Sequence, residues 1–101
     1  LPPHYLGPKS SVHSSLVGEG SVILGRVSHS VIFYDVVIEE GAAVSDSIIM
    51  PGTVIEKNSV VEKAIIGERC HVCAGAIIQG QEKQIKVYGN GREIKAEEGA
   101  E

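Results

Sequence analysis

The chain has 101 residues, a formal charge of −4 and 43% hydrophobic residues, yet only one Phe, three Tyr and no Trp. That length supports one domain at most, and the acidic balance supplies no basic field for nucleic acid or an anionic membrane. Val and Ile fill 25 positions against four Leu, a β-branched composition that favours strands and weighs against a helical bundle.

No apolar run approaches the roughly 20 residues that span a bilayer. No charged-then-apolar leader is present either, so the expectation is a soluble, cytoplasmic chain. The start at Leu1-Pro2-Pro3 rather than Met predicts a segment excised from something longer.

In chain order, Leu6 and Val12, then Val17, Ile23 and Val27, open an irregular series of inward aliphatics. From Ile32 the series becomes regular: Ile32, Ile38, Val44; Ile49, Ile55, Val61; Ile66, Val72, Ile78, stepping by 6, 6 and 5 residues. The doublets Leu16-Val17, Val31-Ile32, Ile48-Ile49 and Ile65-Ile66 recur at 15, 17 and 17 residues. Amphipathic helices and alternating strands both need shorter periods. A step of six fits short strands that each point one aliphatic inward before a tight corner, the hexapeptide pattern of a parallel β-helix. Two residues before each aliphatic, Ser21, Val36, Thr53 and Cys70, and Ala42, Ser59 and Ala76, also point inward by alternation.

The columns Gly20, Asp35, Gly52 and Gly41, Asn58, Gly75 suit left-handed corners, and Arg69 is the misfit in the first. The β-helix is expected over residues 1–80, with about four and a half coils between Leu6 and Ile78. Gln79 to Gln84 reads as a loop. Residues 81–101 read as a cap, with Ile85 to Tyr88 and Arg92 to Lys95 forming a short strand or hairpin before a frayed acidic tail.

Several runs then resemble one family: Pro2 to Pro8, Ser14 to Gly20, His29 to Phe33, Asp46 to Gly52, and Glu62 to Gly67. The sequence resembles the C-terminal region of bacterial glucose-1-phosphate adenylyltransferase over about residues 2–95. The resemblance implies an all-β, left-handed parallel β-helix of four to five coils. It also implies an absent N-terminal catalytic nucleotidyltransferase domain, on which ATP, with magnesium, reacts with glucose 1-phosphate to give ADP-glucose and pyrophosphate for glycogen synthesis. No catalytic residue and no cofactor carry over to this chain. The expected role is a regulatory and oligomerisation domain, inactive alone, whose partners are its own catalytic domain and neighbouring subunits of a homo- or hetero-tetramer.

The resemblance further implies a sugar-phosphate or other anionic effector held by basic residues, with Arg69, Lys63, Lys57 and Arg92 as candidates. Phe33, Tyr34 and Met50, placed just after inward aliphatics, predict an outward packing patch. Cys70 and Cys73 have Cys-x-x-Cys spacing, but the register turns Cys70 inward and Cys73 outward and no second pair completes a zinc site. Ser14, His29, Asp46 and Lys63 form a column read as an exposed charge ladder rather than catalytic machinery. Two other readings stay open on the residues alone: a hexapeptide acyltransferase, and a purely structural β-helix module.

Overall fold

The computed structural model describes residues 4–96. Strands Tyr5–Leu6 (β1), Ser11–His13 (β2) and Leu16–Val17 (β3) make the first coil. Val22–Ile23 (β4), Arg26–Ser28 (β5) and Val31–Ile32 (β6) make the second; Val37–Ile38 (β7), Ala43–Ser45 (β8) and Ile48–Ile49 (β9) the third. Val54–Ile55 (β10), Val60–Glu62 (β11) and Ala64–Ile66 (β12) form the fourth, and His71–Val72 (β13), Ile77–Gln79 (β14) and Lys86–Tyr88 (β15) the fifth. Glu93–Ile94 (β16) begins a sixth.

Every strand pairs parallel with its counterpart one coil away, giving three sheets that are the faces of a prism 35 Å long. Face A is β1-β4-β7-β10-β13-β16, face B is β2-β5-β8-β11-β14, and face C is β3-β6-β9-β12-β15. The fold is the left-handed parallel β-helix of hexapeptide repeats.

The interior is a stack of single aliphatics. Ile23, Ile38, Ile55, Val72 and Ile94 fill face A, Val27, Val44, Val61 and Ile78 face B, and Ile32, Ile49 and Ile66 face C, all at most 1% exposed. Each such side chain contributes about 1.5–3 kcal/mol of burial. A section this narrow leaves room beside each aliphatic for a side chain no larger than valine, and Ser21, Val36, Ala42, Thr53, Ser59 and Ala76 are all fully buried there.

Where those small residues are polar they replace backbone bonds that the corners break. The Thr53 hydroxyl donates to Gly67 O at 2.7 Å and accepts from the Cys70 amide at 3.2 Å. Ser21 does the same for Phe33 O and the Val36 amide. A second ladder climbs another vertex: Ser15, Ser30 and Ser47 each donate to the carbonyl two residues back and accept an amide from the next coil. Among the described residues no buried side-chain polar atom lacks a partner.

Three vertices need left-handed backbone. Gly20, Asp35, Gly52, Arg69 and Gly91 take it at the C-to-A vertex, and Gly41, Asn58 and Gly75 at the A-to-B vertex, with φ between 51° and 83°. The third set differs from the expected charge ladder. Ser14, His29, Asp46 and Lys63, φ 47–50°, form the B-to-C corner itself. His29, Asp46 and Lys63 donate their amides to His13, Ser28 and Ser45 carbonyls at 3.0–3.1 Å, and no ion pair joins their side chains among the described residues. The second coil is short by two residues, and Gly25 closes it. A Cβ there would meet Ala42 O at 2.3 Å and Glu39 O at 2.8 Å, so the tight corner admits only glycine.

The C-terminal segment forms a strand as expected, but no hairpin. β15 pairs parallel with β12, Tyr88 opposite Ile66, and β16 pairs parallel with β13, Ile94 opposite Val72. The parallel ladder therefore runs past residue 80 to Ile94, and the residues between β14 and β15 bulge from one vertex, closed by a Gln81–Gln84 bridge. An apolar residue at the inward register, Ile94, is available to bury, and parallel addition to an open sheet end does so where a hairpin would not.

Candidate functional site

The prism separates the four basic candidates. Lys57 lies at the A-to-B vertex, Lys63 at the B-to-C vertex, and Arg69 with Arg92 at the C-to-A vertex. Arg69 and Arg92 alone share a corner. The Arg69 side chain is 81% exposed and lies 3.9 Å from the Glu68 carboxylate. Its left-handed φ of 51° costs a non-glycine residue about 1 kcal/mol. Arg92 follows Gly91 and occupies the inward column above Cys70, at the open end of the core. Its guanidinium carbon sits 5.4 Å from the Tyr88 ring centroid.

Phe33 and Tyr34 are exposed at the C-to-A vertex with Met50 stacked one coil on, half-buried. They border a larger apolar surface. In strand register, Leu16, Val31, Ile48, Ile65 and Val87 follow one another up the outside of face C. Leu16 is 71% exposed and Val87 65%. Faces A and B carry no such unbroken column: theirs include His71 and Glu93, and Ser11 and Arg26. A depression of about 380 Å³ at the first two coils is lined by Leu16, Gly18, Val31, Phe33 and Tyr34.

Sequence reasoning named the aromatic corner and missed the column, although its signal was plain. The doublets Leu16-Val17 to Ile65-Ile66 are apolar at both positions, and alternation turns one of each pair outward.

On face A, the His71 ring and the Glu56 carboxylate form a close hydrogen bond between adjacent coils, and Glu56 also accepts the Ala74 amide at 2.8 Å. The His71 hydrogen bond, then the Ala74 amide, hold the Glu56 carboxyl below the usual carboxylate range. Glu39 repeats the backbone half of this arrangement one coil earlier, accepting the Lys57 amide at 3.1 Å. These carboxylates brace a corner. Cys70 is buried with its thiol donating to Gly89 O at 3.1 Å, and Cys73 faces outward, partly exposed. Among the described residues no three His, Cys, Asp or Glu side chains gather closely enough to hold a metal ion. Nor is any helix among them long and apolar enough to cross a membrane.

The fold defines a hexapeptide-repeat β-helix. The chain belongs to the GlmU-like, C-terminal hexapeptide family, whose model matches residues 5–88. It is 47% identical over 78 residues to glucose-1-phosphate adenylyltransferases of Bacillus anthracis and Bacillus thuringiensis (strain Al Hakam), and equally so to that of Bacillus cereus (strain Q1). Those alignments cover 77% of this chain and 21% of each relative, so the chain spans about a fifth of the relatives' length and is homologous to their C-terminal part. Among solved structures, the acetyltransferase domain of PglB from Neisseria gonorrhoeae FA1090 in complex with acetyl coenzyme A matches 92% of this chain and 51% of that one, at 22% identity and a TM-score of 0.44.

Proposed function

We propose that this chain is the regulatory and assembly domain of a cytoplasmic glucose-1-phosphate adenylyltransferase. The observation that carries the reading is 47% identity to a fifth of those enzymes' length, a fifth that here folds as a parallel β-helix. Nucleotide transfer between ATP and glucose 1-phosphate, with its magnesium, then takes place on polypeptide outside this chain. The aliphatic column of face C, with Phe33, Tyr34 and Met50, is the surface against which that larger part packs. A stripe five strands high, at about 4.8 Å per strand, is narrow for a free partner, because stable complexes bury about 800 Å² on each side. It suits a tethered one, since a linker supplies millimolar effective concentration. Sugar-phosphate control and assembly into a tetramer belong to the same reading.

The test is to assay the pure chain for pyrophosphate release from ATP and glucose 1-phosphate, and the full-length enzyme with and without Leu16→Lys and Ile48→Lys. No turnover by the chain is expected, with loss of assembly or activation in the doubly substituted enzyme. Turnover by the chain alone, or an unaltered substituted enzyme, overturns the reading.

A further inference from the structure

Face B carries two sets of serines with opposite fates. Ser15, Ser30 and Ser47, at the vertex, spend their hydroxyls on backbone bonds. Ser11, Ser28 and Ser45, on the flat of the face, make no side-chain hydrogen bond among the described residues. Register brings those three beside two nitrogenous side chains: Ser11 lies opposite Arg26, and His13 opposite Ser28, which in turn lies opposite Ser45. Arg26 and His13 are both exposed, and neither has an ion-pair partner among the described residues. Ala43 stacks directly above Arg26. Its small side chain and the serines leave a depression of about 360 Å³ over β2, β5 and β8. Val60 and Ile77 continue the Arg26 column as a wall. Glu62, the carboxylate one coil beyond Ser45, is held by the Gln79 amide at 2.9 Å.

We propose that this depression is a binding site for a phosphoryl group, with the Arg26 guanidinium supplying the charge and the Ser11, Ser28 and Ser45 hydroxyls and the His13 imidazole supplying directed hydrogen bonds. A tetrahedral dianion offers acceptors in several directions, and a planar guanidinium beside fixed hydroxyls matches that geometry. The rigid parallel ladder holds the donors one strand spacing, about 4.8 Å, apart, so little ordering is required on binding. The shortened corner at Gly25 immediately precedes Arg26 and fixes where β5 starts. The site lies on a different face from the aliphatic column and stands whether or not the chain belongs to a nucleotidyltransferase.

The experiment is a titration of the ¹⁵N-labelled chain with inorganic phosphate at constant ionic strength, with acetate and glucose 1-phosphate as separate arms. Saturable shifts confined to residues 11–13, 26–28 and 43–45 are expected from both phosphate sources and not from acetate. Arg26→Gln should weaken binding at least tenfold, and Ser28→Val with Ser45→Val several-fold, while Arg69→Gln leaves it unchanged. Shifts that never saturate, that centre on Arg69 and Arg92, or that persist in Arg26→Gln overturn the proposal.

Discussion

Arg92 lies over Tyr88, its guanidinium carbon 5.4 Å from the ring centroid, and together they close the upper end of the core. Tyr88 takes the place that Ile66 holds one coil below, and Arg92 the place of Cys70. A stacked coil needs a terminus that stops apolar residues from facing water. Here the partly buried Tyr88 ring packs against the core beside the fully buried Ile94, and the cation with its apolar stem lies over that ring. Tyr88→Ala should destabilise the chain by about 2 kcal/mol, less than the 3–5 kcal/mol typical of fully buried aromatics. Arg92→Ala should cost under about 1 kcal/mol. Urea unfolding of both variants checks the order, and a larger loss from Arg92 would contradict the cap.

Thr53 is fully buried and serves two backbone groups at once. Thr53→Val keeps the shape and orphans the Gly67 carbonyl and the Cys70 amide. A loss of about 1–3 kcal/mol follows from stranding a buried polar group, with Thr53→Ser retaining most of the stability. Equal stabilities for the Val and Ser variants would show that the hydroxyl bonds contribute nothing.

The two thiols differ in access. Cys70 is 2% exposed and Cys73 partly so. A maleimide added to the folded chain should modify Cys73 first, and Cys70 only at the rate of unfolding. Equal labelling rates would contradict the register of face A.

Acid should weaken the corner braced by Glu56. Its carboxyl titrates below the ordinary value of 4.5 because of His71 and the Ala74 amide. A depressed native value means the folded state favours the carboxylate, so its contribution is full above pH 4.5 and disappears as pH falls through the lowered value. The side chains are 31–45% exposed, which keeps the effect small. Glu56→Gln should flatten this part of the stability profile measured between pH 3 and 6, and an unchanged slope would remove Glu56 as its source.

Backbone strain gives a further prediction. Arg69 holds a left-handed conformation that Gly52 occupies one coil below without strain. Arg69→Gly should stabilise the chain by up to about 1 kcal/mol, since relief of strain is partly offset by the greater freedom of glycine when unfolded. Destabilisation by thermal or urea melts would mean that the arginine side chain has a structural role.

The inward columns were legible in the sequence because a period of six, carried by β-branched residues, suits neither a helix nor an alternating strand. The two corners marked by Gly20 and Gly41 were equally plain. The third was not, because Ser14, His29, Asp46 and Lys63 share no chemistry, only a backbone conformation; their charges invited a side-chain reading that the corner geometry replaces. The C-terminal strands suggested a hairpin because residues 79–85 break the period. The 22-residue offset between Ala64 and Lys86 hides a register that 17-residue spacing reveals elsewhere. Of the surfaces, the aromatic corner was visible by its rarity. The Arg26 face was not, since it arises from residues in three coils that only the register of β2, β5 and β8 brings together.

Each coil rests only on the one before and the one after, and the five residues added between β14 and β15 leave a vertex without disturbing the strands above. Length is therefore an adjustable dimension of this molecule. Removing residues 36–52, one period of 17, would join like to like at every face and shorten the prism by a single strand spacing, while removing one residue fewer would leave one extra residue at a corner, to be extruded as the vertex between β14 and β15 extrudes five.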